Sequence, residues 1–198
     1  MFTDIFQGHF KNFSASIANQ QYWLCEKVFE PNTVGLLTKA FESRREDLRP
    51  GKIGKGILKT RKNEIRNDYI RWISLEESEF QPVWLLLDRL QETARKELYL
   101  PIKRYEAQMA LYPSGHFYKK HVDRHQLLPS RLLTFVLYFN DWIPGDGGEL
   151  ILYINEKEVK IPPVKNSAIV FLSELEHQVL PAIQERRSLT AWLRDDVI

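Results

Sequence analysis

The chain of 198 residues holds a single cysteine, Cys25, so it can form neither an internal disulfide nor a cysteine-only zinc site. Alone, Cys25 reads as a small, semi-buried side chain, and the lack of disulfides points to a reducing cytoplasm. Long apolar runs are also missing. The longest, such as residues 83–87, are far too short to span a membrane. Met1-Phe2-Thr3-Asp4 has no basic character and no apolar stretch follows it, so no secretory leader is expected. Neither sign of charge dominates: 28 Lys and Arg against 26 Asp and Glu leave +2, and no partner follows from so small a net charge. Repeats and low-complexity segments are absent. What remains, 43% hydrophobic and 27% charged, is the composition of one globular domain with its own core.

The first half reads as helical support. Residues 1–21 are polar with scattered aromatics and suggest an irregular or partly helical lead-in, and residues 22–29 a first strand. Glu30-Pro31-Asn32-Thr33 starts a helix, and Val34, Leu36, Leu37, Ala40 and Phe41 continue it at helical spacing to about residue 45. Residues 65–73 alternate like a strand. Residues 80–98 form the clearest helix, with Pro82 in its first turn and Val83, Leu86, Leu87, Leu90 and Ala94 on one stripe.

Between these, residues 49–62 carry Gly51, Gly54 and Gly56 among Arg49, Lys52, Lys55, Lys59, Arg61 and Lys62, with no acidic residue. Such a segment is either a solvated loop or a lid that meets an acidic or backbone-rich substrate. Single-stranded nucleic acid is a weaker third reading, because no aromatic side chain is there to stack on bases.

From residue 103 onward, eight short strand-like runs follow one another: 105–112, 117–122, 132–140, 149–154, 158–161, 168–171, 178–180 and 188–194. Pro, Gly, Asn and Asp punctuate them. This pattern predicts a sandwich or barrel. The expected class is α+β, with residues 1–102 as support and 103–198 as a β-barrel core of one structural domain.

His121-Val122-Asp123 sits on one of these runs. Alternation puts His121 and Asp123 on the same strand face, where both can grip one metal ion. His177, on a later run, is the best third ligand. His125 would extend a His-x-Asp-x-His row, but Pro129 follows shortly and should turn it to the rim. Two imidazoles and a carboxylate on one face of an ion are the ligand set of non-haem Fe(II) oxygenases. A 2-oxo acid and O2 would take the open positions. On the last strand, alternation gives Arg186, Ser188, Thr190 and Trp192 a common face, so Arg186 rather than Arg187 is expected to hold a far carboxylate.

These residues belong to a wider pattern. Ile65-Arg66-Asn67-Asp68-Tyr69-Ile70-Arg71-Trp72, Tyr112-Pro113-Ser114-Gly115 before His121-Val122-Asp123, Tyr138-Phe139-Asn140 with Trp142, Gly147-Gly148-Glu149-Leu150, and His177-Gln178-Val179 through Arg186 to Trp192 occur in one order. The stretch resembles the prolyl hydroxylases of the 2-oxoglutarate- and Fe(II)-dependent dioxygenases, nearest their oxygen-sensing branch and its bacterial relatives. Asn67 stands where that branch usually has Gly, and His116 lies near the approach to the site.

The resemblance implies a double-stranded β-helix, a jelly-roll barrel with N-terminal helices packed on one sheet. It implies Fe(II) on His121, Asp123 and His177, and 2-oxoglutarate held by Arg186, Tyr138 and Thr190, with Tyr112 near the iron. O2 would be the oxidant, and ascorbate would support activity. Trp192 would wall the substrate entrance, Arg131 would meet the substrate backbone at the rim, and 49–66 would be a substrate-covering loop. The implied substrate is a protein with an accessible prolyl loop, a translation factor being one guess. Membrane and nucleic-acid partners are not expected. Two alternatives stay open: the same chemistry on another residue, a small molecule or a nucleic acid, and a non-catalytic barrel module. A nucleic-acid demethylase would want a second Arg where Trp192 stands.

Overall fold

The computed structural model describes residues 1–51 and 64–197. Eleven strands are found among them: β1 (Tyr22–Cys25), β2 (Arg49–Pro50), β3 (Tyr69–Ile73), β4 (Arg104–Tyr112), β5 (Tyr118–His121), β6 (Arg131–Tyr138), β7 (Leu150–Ile154), β8 (Lys157–Ile161), β9 (Ala168–Leu172), β10 (His177–Val179) and β11 (Arg186–Arg194). They form two antiparallel sheets. The major one runs β1-β9-β6-β11-β4-β3-β2 and the minor one β5-β10-β7-β8. Helices α1 (Asp4–Phe10), α2 (Phe13–Gln20), α3 (Pro31–Glu42) and α4 (Gln81–Glu97) complete the chain. The result is the expected α+β double-stranded β-helix.

Alternation in the long strands explains the layering. In β4, Ala107, Met109 and Leu111 point to the helices, while Ala110 and Tyr112 point to the minor sheet. In β11, Leu189, Ala191 and Leu193 take the helix side. A period of two therefore gives the major sheet two working faces. One packs on α4 through Val83, Leu86, Leu87, Leu90 and Ala94, all fully buried. The other meets Leu150, Leu152, Ile161 and Val179 of the minor sheet. Cys25 lies in the helix-side core, where burial first and Glu26 second push its thiol up to about 12.

The structure changes several of the expected elements, among them the first strand, which ends at Cys25. Residues 1–21 are two ordered helices, because Phe6, Phe10 and Phe13 pack around Trp23 with edge-on ring contacts of 5.6–6.2 Å. The strand expected over 65–73 begins only at Tyr69. Before it, Arg66 and Asp68 form a buried two-point ion pair at 2.7 and 2.6 Å. Residues 65–67 turn instead to the minor sheet, where Lys119 and Asn67 exchange backbone bonds with Ile65 and Phe117. The strand expected over 117–122 ends at His121. Of the segments expected at 49–62 and 49–66, residues 52–63 lie outside the described residues. Among the described residues, no helix is long and apolar enough to cross a membrane.

Candidate active site

A cavity of about 710 Å³ opens between the sheets. Near its middle, His121, Asp123 and His177 each offer a ligand atom, and these atoms lie within 4.8 Å of one another. His121 closes β5 and His177 opens β10, and the two are direct partners across the sheet. Each imidazole is oriented by its own chain: Nδ1 of His121 meets the Lys119 carbonyl at 2.7 Å, and Nδ1 of His177 meets the Leu175 carbonyl at 2.9 Å. Both Nε2 atoms then face Asp123, at 3.9 and 3.5 Å. This is how imidazole ligands are commonly aimed at a metal.

Asp123 is not on the strand, as alternation suggested, but just beyond it. Its backbone N–H donates to the Ser173 carbonyl at 3.0 Å, which draws it back toward the histidines. The Thr134 hydroxyl donates to Asp123 Oδ2 at 2.8 Å and lies 2.8 Å from the Ser173 hydroxyl. Burial pushes the Asp123 carboxyl up, but His177, His121 and Arg131 outweigh it and leave the group at about 2. Burial, aided by His177, holds His121 down at about 3. The set is an anionic carboxylate beside a neutral imidazole, which are the forms that bind metal. This donor chemistry fits Fe(II). His125 is exposed, accepts from the Leu127 N–H and lies outside the cluster.

Deeper in the cavity, Arg186 is only 3% exposed. Its guanidinium carbon lies 4.8 Å from the Tyr112 ring and 5.1 Å from the Tyr138 ring. One Nη1–H donates to Ser188 Oγ at 3.0 Å. Among the described residues, its Nε and the Tyr138 hydroxyl are buried with no hydrogen-bond partner. Burial raises both phenols, so each remains a donor. A buried cation beside unpaired donors is a ready cradle for a carboxylate. Thr190 is half-buried on the same cavity wall. Arg187 points the other way and pairs with Glu42 of α3.

Gly147 and Gly148 fold against this end. Both have positive φ, and a Cβ on Gly148 would stand 3.0 Å from Arg186 Cδ.

At the mouth, Trp192 is 5% exposed and tilts against Trp72, their ring centroids 5.8 Å apart. Arg131 departs from expectation. It is not an open cation at the rim but 8% exposed, bonded twice to Glu106 Oε1 and set 3.7 Å over the Trp192 ring. The sequence reading missed Thr134, Ser173, Glu106 and Tyr118, whose ring stacks on His121 at 3.5 Å. Alternation with Val136 and Tyr138 could have flagged Thr134. Ser173 lies outside any strand and carried no signal.

A family model described as the 2OG-Fe(II) oxygenase superfamily matches residues 107–194. A solved prolyl-4-hydroxylase of Pseudomonas putida is 31% identical, covering 93% of this chain and 98% of that one at a TM-score of 0.84. A prolyl hydroxylase of Trichoplax adhaerens, solved with a hypoxia-inducible-factor peptide, is 24% identical over 93% of this chain and 88% of that one. Its TM-score of 0.86 speaks for the fold. A PKHD-type hydroxylase of Maricaulis maris is 32% identical over 85 residues, 42% of this chain and 39% of that protein. The match thus spans well under half the length of that curated relative. By fold, motif order and overall similarity, this chain belongs to the 2-oxoglutarate- and Fe(II)-dependent oxygenases, in their prolyl-hydroxylase-like group.

Proposed function

We propose that the protein hydroxylates a prolyl residue of a protein substrate, consuming 2-oxoglutarate and O2 and releasing succinate and CO2. His121, Asp123 and His177 would hold Fe(II). When bound, that ion supplies the activation of O2 that lets an unreactive C–H bond be hydroxylated. Arg186 binds the far carboxylate of 2-oxoglutarate by charge-assisted hydrogen bonds. The Tyr138 hydroxyl donates to the same group, Thr190 lines its end of the pocket, and Ser188 steadies Arg186 from behind. Tyr112 packs over Arg186 and excludes water from the cosubstrate. Trp192 and Trp72 offer flat apolar walls at the entrance, suited to a proline ring. Arg131 and Glu106 edge that entrance.

One observation carries the reading: a three-residue cluster within 4.8 Å shares a cavity with a buried arginine whose Nε has no partner among the described residues. The relatives named as prolyl hydroxylases support the choice of substrate class. A protein with an exposed prolyl loop fits the open mouth, a translation factor being one candidate, and ascorbate should sustain turnover by keeping the metal reduced.

The test uses cell lysate treated with Fe(II), 2-oxoglutarate and air, with wild-type or D123A protein. The wild type should form succinate and add the mass of one oxygen to a prolyl peptide. D123A, left with two protein ligands, should do neither. Succinate without any modified prolyl peptide would refute the substrate class, and no succinate at all would refute the enzyme.

A further inference from the structure

Beside the metal cluster, the mouth of the barrel holds a charged network. On the inner face of β4, β11 and β6, residues line up in rows across the strands. Glu106, Trp192 and Thr134 form one row, and Arg104, Arg194 and Arg131 the next. Three neighbouring guanidiniums repel one another, so anions must stand between them. Glu106 Oε1 accepts from Arg131 Nη2 at 2.7 Å, from Arg131 Nε at 3.1 Å and from Arg194 Nη1 at 2.7 Å. Asp196 accepts from Arg194 at 2.9 and 2.8 Å and from Arg104 at 3.0 Å.

The third nitrogen of Arg131 is the important one. Its Nη1 stands 4.0 Å from Asp123 Oδ1. The Thr134 hydroxyl donates to Oδ2, and the Trp192 indole N–H also favours the carboxylate's charge. Arg131 Nη1 is therefore a small rotation from a direct hydrogen bond with a carboxylate that a metal ion needs. In so enclosed a site that pairing would be strong. What opposes it is Glu106, which holds Nε and Nη2 on the far side and keeps the guanidinium over the Trp192 ring.

We propose that Glu106 is a positioning residue: it keeps Arg131 on Trp192 and off Asp123, so that the Asp123 carboxylate stays open to the metal. The proposal rests on the reading of the cluster as the iron site. It requires no statement about the organic substrate.

The test is anaerobic titration of metal-free protein with Fe(II), read by calorimetry, with thermal melts confirming the fold of each variant. E106A should bind Fe(II) about 10-fold more weakly, the scale of changes to residues behind metal ligands. R131Q should bind at least as well as the wild type. E106A/R131Q should recover to within about 3-fold of R131Q, because Arg131 is no longer there to capture Asp123. A merely structural role for Glu106 would weaken binding whether or not Arg131 is present. E106Q keeps the side-chain volume and an acceptor oxygen, so it should lose less. If E106A fails to fold, E106Q and E106Q/R131Q carry the same cycle. Unchanged affinity in the Glu106 variants, or a double variant as weak as its Glu106 parent, overturns the proposal. No uptake of Fe(II) by the wild type would overturn the site reading itself, and this inference with it.

Discussion

Arg186 and Arg187 are neighbours in sequence and serve opposite faces of one strand. Arg186 is buried in the cavity between two tyrosine rings, whereas Arg187 reaches out to Glu42 on α3. R186A should raise the KM for 2-oxoglutarate by roughly 10- to 100-fold, the value of a desolvated charge-assisted contact. R187A should leave that KM nearly unchanged and cost at most about 1 kcal/mol of stability, since its ion pair is partly exposed. Steady-state kinetics separate the two, and a larger KM effect from R187A would mean that the strand register is misread. The metal cluster has its own signature in acid. His121 is held at about 3 against an ordinary 6.5. Below about pH 6.5 the unfolded chain takes a proton there that the folded chain refuses, so stability falls as pH drops toward 3. Asp123 acts lower: its contribution is present above 3.8 and is lost only as pH falls through about 2. Melting of metal-free protein between about pH 7 and about pH 4.5 should therefore be less pH-sensitive in H121N. Equal sensitivity in the two proteins would refute this origin.

At the scale of elements, β11 is the spine of the site. It pairs along its whole length with β4 on one side and from Ser188 to Arg194 with β6 on the other, so its inward residues are fixed in rows. The turn before β10 and the turn after it bring the remaining parts. Gly147 and Gly148 separate two tasks that sequence shows only as a pair. A Cβ on Gly147 would stand 2.5 Å from the Pro181 carbonyl, which is backbone and cannot yield. One on Gly148 would press on the flexible Arg186 side chain. G147A should thus cost the more stability, above about 1 kcal/mol. G148A should cost less but raise the KM for 2-oxoglutarate, because it displaces the arginine. Thermal melts and kinetics on both variants would show it, and a purely structural G148A with normal KM would refute it. The strands after residue 103 were legible because period-two alternation and Gly- and Pro-rich turns are local signals. The two N-terminal helices were not, since their aromatic stripe is short and becomes readable only against Trp23. The late start of β3 at Tyr69 was hidden too, because the ion pair that precedes it forms only once Arg66 and Asp68 are buried together.

For the whole molecule, the cluster joins β5, the segment after it and β10. His121 faces His177 across the β5–β10 pair, and Asp123 hangs from Ser173. An ion bridging them should add stability by mass action, about 2.7 kcal/mol at a free concentration 100-fold above its Kd. Melting temperature should rise with Fe(II) in the wild type and not in D123A; a rise of equal size in both would place the ion elsewhere. The sequence alone determined the class of fold, singled out His121, Asp123 and His177 as one cluster and put Arg186 rather than Arg187 on the inward face, because these rest on strand alternation and motif order. Tertiary structure decided the rest. It alone showed that Asp123 leaves the strand, that Thr134 and Ser173 steady it, and that Arg131 is held by Glu106 instead of standing free. Those facts depend on side chains from β4, β6 and the approach to β10 meeting in a space that no local pattern records. Their energies come from burial and from charges brought within about 4 Å, quantities that exist only once the sheets have closed.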